Sequence, residues 1–413
     1  MLFRAMRGRN YRLFFIGQTL SVTGSWLQQA AMSWLVYRLT GSAALLGMVI
    51  FLSQAPVAFV APFVPWLTAR IARDKLFIFI QVSAMVYAFA LATLAWGGWA
   101  APWNILLLAG LAGCVTAMES PLRQGMLGYL IAEPGDLSNA VVLNSLCFNV
   151  TRLIGPVLAG LLIGVTSEAF CFFVNGVSFL AVIAAFRMMK LPDMKKTAGK
   201  PEFPMGATLQ YAWSRPRIRN ALLMLVVVAV CFTPNFVVMP VYAKTVFQGD
   251  ASTLGNLMAA AGLGSMLATV ALLWMSERVN LTVVTMLAAF AGGVALAVFA
   301  LTTALWAAYV LIAIVGFSVV TASAGLNIVL QTVAEPRHRT AIVSLYSMSY
   351  AGVVPFSSLA LGWASNAFGT PQALHAFAVI GTVAVALLIG RLPPVRRKLR
   401  PIHRKVLLPL LAR

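Results

Sequence analysis

The chain has 413 residues, of which 61% are hydrophobic and only 10% charged, with a formal net charge of +20 and a mean hydropathy of +0.90. A soluble domain carries roughly 25% charged residues, so this much apolar surface needs lipid, not water, around it. The excess of Lys and Arg does not point to nucleic acid, because it is gathered in short stretches (4–12, 70–75, 190–200 and 391–405) between apolar runs.

Those stretches sit where cytoplasmic loops are expected, the positive-inside bias of membrane proteins. A helical span needs about 20 mostly apolar residues. Apolar runs at 12–38, 44–69, 76–97, 104–130, 139–165, 169–189, 221–246, 254–275, 281–302, 305–332, 341–367 and 374–391 predict twelve spans of an all-α integral membrane protein. The loops assigned to the outer side hold Arg38 and Lys244 as their basic residues, with Glu168 and Asp250. Both termini are therefore expected in the cytoplasm. The expected organisation is a six-helix bundle at 1–190, a cytoplasmic linker at 191–217, a second bundle at 218–392 and a basic tail at 393–413.

The first apolar stretch, 13–36, is too long for a removable signal core and has no cleavage site. The four cysteines, Cys114, Cys147, Cys171 and Cys231, lie inside apolar runs and read as small core hydrophobes, not as disulfide or metal ligands. Gly199-Lys200 is followed by Pro201, and no phosphate-cradling loop is present. No cofactor, metal or enzymatic nucleophile–base pair is expected.

In span 1, Gln18, Ser21, Ser25 and Gln28 recur at steps of three and four and share one helical face. Span 4 carries Glu119 about fifteen residues, roughly 22 Å, along its axis, with Arg123 one turn later. Ser145, Asn149 and Arg152 share a face of span 5, which is expected to lie beside span 4. Two readings of Glu119 stand. Either it neutralises an arginine permanently and holds the helices in register, or it takes a proton when the arginine moves away, since burial favours the protonated form of an unpaired carboxylate. Arg152 is expected to serve binding more directly than Arg123, which has room to snorkel inward.

Span 7 contains Thr233-Pro234-Asn235, where proline removes a backbone donor and breaks the helix. It reads as a flexible gate with Asn235 facing substrate, or as an inert bend. Ser323 and Asn327 share a face of span 10, and Ser347 with nearby Tyr350 marks span 11. Polar faces within lipid turn toward protein or a water-filled path. Together these residues describe a path suited to a polar or anionic organic molecule, although interhelical hydrogen bonding accounts for many of them equally well. Between the halves, Met205–Ser214 with Leu209, Tyr211 and Trp213 reads as a surface helix at the inner interface or as a plain tether. The basic tail is expected to attract anionic lipid.

The halves repeat one another. Ala132-Glu133-Pro134 parallels Ala334-Glu335-Pro336, Leu143 and Ser145 match Leu345 and Ser347, and Val36-Tyr37-Arg38 parallels Val241-Tyr242-Ala243-Lys244. Gly17-Gln18, Gly24-Ser25-Trp26-Leu27-Gln28, the run from Trp34 to Ser42, and Asn149-Val150-Thr151-Arg152-Leu153-Ile154-Gly155-Pro156 with Ala159-Gly160 resemble the major facilitator superfamily, in the branch of the enterobactin exporter and drug-efflux proteins.

The resemblance implies the twelve-span fold of two pseudo-symmetric six-helix bundles, and makes Gly155-Pro156 part of a motif carried by exporters. The superfamily's loop between spans 2 and 3 departs here: Pro65 stands for the usual glycine and Ala69 for the usual aspartate. An inner-side charge latch would then use other pairs, Glu133 or Asp136 with Arg70 or Arg73 and Glu335 with Arg278; the alternative is helix termini and solvated charges.

The resemblance also implies a proton-coupled exporter of a siderophore, drug or other amphipathic metabolite, working by alternating access as a monomer in the bacterial inner membrane. The expected site residues are Glu119, Arg123 and Arg152 for proton coupling, Gln18, Ser25, Gln28, Asn149, Arg152, Asn235, Asn327 and Tyr350 for substrate, and Pro234 for gating. Uptake of a siderophore or related metabolite, and lipid flipping, are the alternatives.

Overall fold

The structure, a computed structural model, describes residues 4–60, 63, 67, 68, 70–131, 133–189, 205–275 and 280–390. The described elements are helical. The first six are α1 (Arg9–Thr40), α2 (Ala43–Val60), α3 (Arg73–Trp96), α4 (Pro102–Leu130), α5 (Leu137–Val165) and α6 (Glu168–Met188). Then follow α7 (Met205–Ser214), α8 (Pro216–Cys231), α9 (Asn235–Val241), α10 (Ala251–Met275), α11 (Leu281–Leu301), α12 (Leu305–Val333), α13 (Arg339–Ala351), α14 (Val354–Phe368) and α15 (Thr370–Ile389).

Among the described residues, ten helical stretches are long and apolar enough to cross a membrane. The remaining two expected spans are present as helices that miss that standard for different reasons. α2 is apolar but short over Ala43–Val57. α1 has 32 residues, but its Gln, Ser and Thr positions dilute its apolarity. It ends at Gly41, whose left-handed backbone (φ 61°) lets its N–H bond the Tyr37 carbonyl at 2.8 Å.

The chain groups into two compact units, Met1–Gly199 with Val237–Ala259, and Lys200–Phe236 with Ala260–Arg413. In the first, α1 packs on α5 and α6, α2 on α4, and α3 on α6. A methyl at Gly113 of α4 would meet the Leu52 carbonyl at 2.6 Å and the Pro56 ring at 2.8 Å, so only glycine permits this approach to α2. An apolar core around Tyr11, Phe77, Ile80 and Met126 closes one end of the unit, and the buried Tyr11 hydroxyl donates to the Ala140 carbonyl at 2.8 Å.

The second unit repeats the scheme: α8 packs on α13, α14 and α15, and α11 on α12 and α15. Gly264 and Gly316 there bring backbones together as Gly113 does in the first unit. Large apolar side chains such as Phe79, Trp103, Val165 and Trp306 remain exposed, as expected of surfaces solvated by lipid tails.

Span 7 is broken where the sequence placed the break. α8 stops at Cys231 and α9 starts at Asn235, with Pro234 buried in the turn between them. Pro355 of span 11 lies just after a similar interruption, at the start of α14, whereas α5 runs unbroken through Pro156. The stretch 205–214 is a helix that packs on α8 and α13, burying Thr208 and Ala212 and leaving Leu209 and Trp213 exposed. Pro65, Ala69, Arg278, the stretch 190–204 and the tail from 391 lie outside the described residues.

Candidate functional site

The first unit holds a half-open cavity of about 530 Å³ to which each of α1 to α6 contributes. α1 supplies Ser21, Ser25, Trp26 and Gln28 along the face that the step of three and four defines. α4 supplies Glu119 and Arg123 from successive turns, α5 supplies Phe148, and α6 supplies Asn175. Val22, Met32, Val49 and Phe179 make apolar wall. The volume falls within the roughly 300–1,000 Å³ of small-molecule sites.

Arg123 is the most constrained charge here. Its side chain is 8% exposed, its Cζ lies 4.3 Å from the centroid of the Phe148 ring, and its Nε and Nη1 have no hydrogen-bond partner. Glu119, half-buried, acts on it electrostatically from one turn away. Among the described residues the two do not close into an ion pair. Arg152 takes another place: half-buried, it sits 5.5 Å from the Trp26 ring and does not line the cavity. Of the two arginines it is Arg123 that lines the cavity, one turn from Glu119 on the same face of α4.

Gln28 is buried and held from α6. Its Oε1 accepts from Asn175 Nδ2 at 2.8 Å, and the Tyr87 hydroxyl lies beside it. Ser178 Oγ donates to Asn175 Oδ1 at 3.1 Å behind it. Sequence reasoning missed Asn175 and Tyr87. A polar residue in an apolar span is a signal for Asn175, but its partner is visible only once α1 and α6 are packed together.

The other expected residues divide. Ser25 lines the cavity, although its hydroxyl donates to the Ser21 carbonyl at 2.9 Å. Gln18 is buried away from the cavity lining, with Oε1 lacking a partner. Asn149 donates to the Ser145 carbonyl of its own helix at 2.9 Å and does not line the cavity. Gly155 lets α5 approach α1: a methyl there would lie 2.5 Å from Trp26 Cβ. Asn235, Asn327 and Tyr350 belong to the second unit. Asn235 Nδ2 donates to the Phe232 carbonyl at 2.6 Å, across the turn at the Pro234 break. Asn327 accepts from Gln331 at 2.8 Å, and the Tyr350 hydroxyl lies 3.4 Å from that of Thr233.

The loop acids find partners on the residues that precede the first helix of each half. Arg4 lies 3.6 Å from Glu133 and 3.1 Å from Asp136. Glu335 pairs with Arg215, Arg337 and His338, and its backbone N–H donates to Tyr211 Oη at 3.2 Å. Arg73 instead donates to the Gly125 carbonyl at 3.3 Å and faces the Tyr129 ring; Arg70 is exposed. The equivalence of Glu133 and Glu335, read from the Ala-Glu-Pro repeat, thus extends to the position of their partners.

The fold is that of membrane transporters. A bacterial homologue of the lysosomal transporter Spinster superposes with a TM-score of 0.72 at 15% identity, covering 92% of this chain and 97% of that one. A POT family transporter in complex with a thioalcohol-conjugated peptide gives 0.74 at 10% identity, covering 92% and 96%. In sequence, the chain is 22% identical over 386 residues to the Staphyloferrin A transporter of Staphylococcus aureus, covering 91% of this chain and 94% of the relative. It is 26% identical over 305 residues to the multidrug efflux pump Tap of Mycolicibacterium fortuitum, covering 69% and 72%. Residues 2–410 match the family described as transmembrane secretion effectors. With its all-helical architecture and its internal repeat, the chain is a multi-pass membrane transporter, not an enzyme, and belongs to the transmembrane secretion effector family of the major facilitator superfamily.

Proposed function

We propose that the protein is a proton-coupled exporter of an amphipathic small metabolite, working by alternating access in the bacterial inner membrane with both termini in the cytoplasm. The observation that carries this reading is the cavity where Glu119 and Arg123 line one wall while Gln28, held by Asn175, presents a second polar group. Glu119 is the proton carrier: it is the carboxylate among the cavity-lining residues, and its neighbouring guanidinium is positioned but not engaged by it. Export is supported by the family description and by the drug-efflux relative. The basic stretches at 4–12, 70–75 and 190–200 support the cytoplasmic termini.

Untargeted mass spectrometry of medium from wild-type and deletion cells identifies the cargo, and purified protein in vesicles then measures its flux under an imposed pH gradient. A compound missing from the deletion medium and moved against its own gradient by the wild-type protein is expected. Glu119→Gln is expected to insert normally and to lose the response to the pH gradient. Gradient-driven flux unchanged in Glu119→Gln rejects the proton-carrier assignment. A deletion strain that secretes normally but fails to take up an added metabolite rejects export in favour of import.

A further inference from the structure

We propose that the cavity of the first unit recognises a zwitterion, a molecule carrying a carboxylate and an ammonium close together on an apolar body, with Arg123 receiving the carboxylate and Glu119 the ammonium. The inference rests on the reading of this cavity as the place where cargo binds and adds the chemical class of that cargo.

Arg123 is more than nine-tenths buried, lines the cavity, and has buried guanidinium nitrogens without partners. A buried ion in that condition costs several kcal/mol unless something answers it. The face of Phe148 does so in part, and it also holds the guanidinium in place. Glu119 is the other half of the arrangement. Residues one turn apart on a helix have Cβ atoms about 6 Å apart, so the two side chains have the reach to close on each other, yet here they remain open toward a common space. The cavity that both line, about 530 Å³, has room for a small headgroup.

Charge balance selects the class. The open pair is neutral in sum. While Glu119 is ionised, a monoanion on Arg123 would leave the cavity with an excess negative charge, and a monocation on Glu119 an excess positive one. Either imbalance is expensive in surroundings of low dielectric. A zwitterion answers both charges with no excess, and the guanidinium is suited to grip a carboxylate through paired N–H donors. The apolar wall of Val22, Met32, Val49 and Phe179 accommodates a hydrophobic body. The ammonium needs the ionised form of Glu119, so ligand and proton compete for one carboxylate. The other titratable groups at the cavity are Arg123 of the same helix and Tyr87 of α3, with Cys147 of α5 acting on Arg123.

The test is equilibrium binding by calorimetry on the detergent-purified full chain, with three probes of one shape: phenylalanine, 3-phenylpropionate and phenethylamine. Phenylalanine is expected to bind at least about tenfold more tightly than either singly charged analogue, the smaller end of what one charge-assisted hydrogen bond contributes. Glu119→Gln is expected to remove its advantage over 3-phenylpropionate and to abolish the weakening that wild type shows as pH falls. Arg123→Gln is expected to remove its advantage over phenethylamine; where that variant does not fold, Arg123→Lys and the Glu119→Gln result decide. Equal binding of a singly charged probe, an advantage that survives both substitutions, or no binding of any probe to wild type overturns the proposal. Because binding is read without flux, a protein that binds phenylalanine selectively but shows no flux driven by a pH gradient would reject the proton-coupled export reading and leave this one standing.

Discussion

Asn175 of α6 donates to Gln28 of α1 at 2.8 Å across 147 residues of sequence. Both side chains are buried, and both line the cavity. The contact does two things at once: it satisfies polar groups that would be costly inside an apolar bundle, and it fixes the rotation of α1 so that its Ser and Gln face looks inward. Gly24 stands directly over it, since a methyl there would lie 2.5 Å from Asn175 Oδ1 and 3.2 Å from Asn175 Cα.

Asn175→Ala is expected to leave Gln28 Oε1 without its donor and to cost about 1–3 kcal/mol. Gly24→Ala should cost a similar ~1–3 kcal/mol by overpacking the same contact. Thermal unfolding of the detergent-purified variants measures both. If the contact is structural support for the site, Gly24→Ala also weakens cargo binding, although Gly24 itself does not line the cavity. Unchanged melting temperatures in both variants would refute the assignment.

Arg38 and Glu168 form a two-pronged pair, Nε to Oε1 at 2.7 Å and Nη2 to Oε2 at 3.2 Å, at the end of the first unit where α1 stops and α6 begins. Glu168 is buried while Arg38 is half solvated, so removing the arginine strands a buried carboxylate, at a cost reduced by nearby water. Arg38→Ala is expected to lower stability by about 2 kcal/mol. Arg38→Ala with Glu168→Leu should recover part of that loss, because no unpaired charge remains. A double variant less stable than the single one would show that the pair is not the source of the effect.

Asp250 precedes α10 and caps it: Oδ1 accepts from Ser252 Oγ at 2.6 Å and from the backbone N–H groups of Ser252 and Thr253 at 3.0 and 3.1 Å. The Ser252 hydroxyl, and then the Thr253 N–H, hold its carboxyl below the usual aspartate range. A carboxyl depressed in the folded state adds stability that is complete above its unfolded value, about 3.9, and is lost as pH falls through the folded value. Wild type is therefore expected to lose more melting temperature than Asp250→Asn as pH falls below about 4, since the amide caps without titrating. Asp250→Ala should lose about 1 kcal/mol near neutral pH. Parallel curves for wild type and Asp250→Asn would exclude the charged cap.

Glu335 follows the same sign with a different cause. Desolvation opposes its charge, but Arg215, with Arg337 and His338, outweighs that and holds the carboxyl below the usual glutamate range. The stability it adds is present above the unfolded value and fades as pH falls through the folded one. Arg215→Ala should shrink this loss, because the folded value then moves back toward the unfolded one, and Glu335→Gln should remove it. Melting curves that do not separate below about pH 5 would mean that the loop charges are independent.

How much of this was legible beforehand depends on the distance along the chain over which each feature is encoded. The spans, the break at Pro234, the shared face of Gln18, Ser21, Ser25 and Gln28, and the placement of Glu119 one turn from Arg123 follow from hydropathy and the 3.6-residue period. Those act over one helix and need no knowledge of its neighbours. The Ala-Glu-Pro repeat likewise identified Glu133 and Glu335 as equivalents.

Only packing decided that Arg123 faces the cavity while Arg152 lies beside Trp26, that Asn175 holds Gln28, and that Glu133 meets Arg4. A helix's periodicity says which side chains share a face, but not where that face points. The direction is set by where glycines such as Gly113 and Gly155 let backbones approach, and by which buried polar groups find partners more than a hundred residues away.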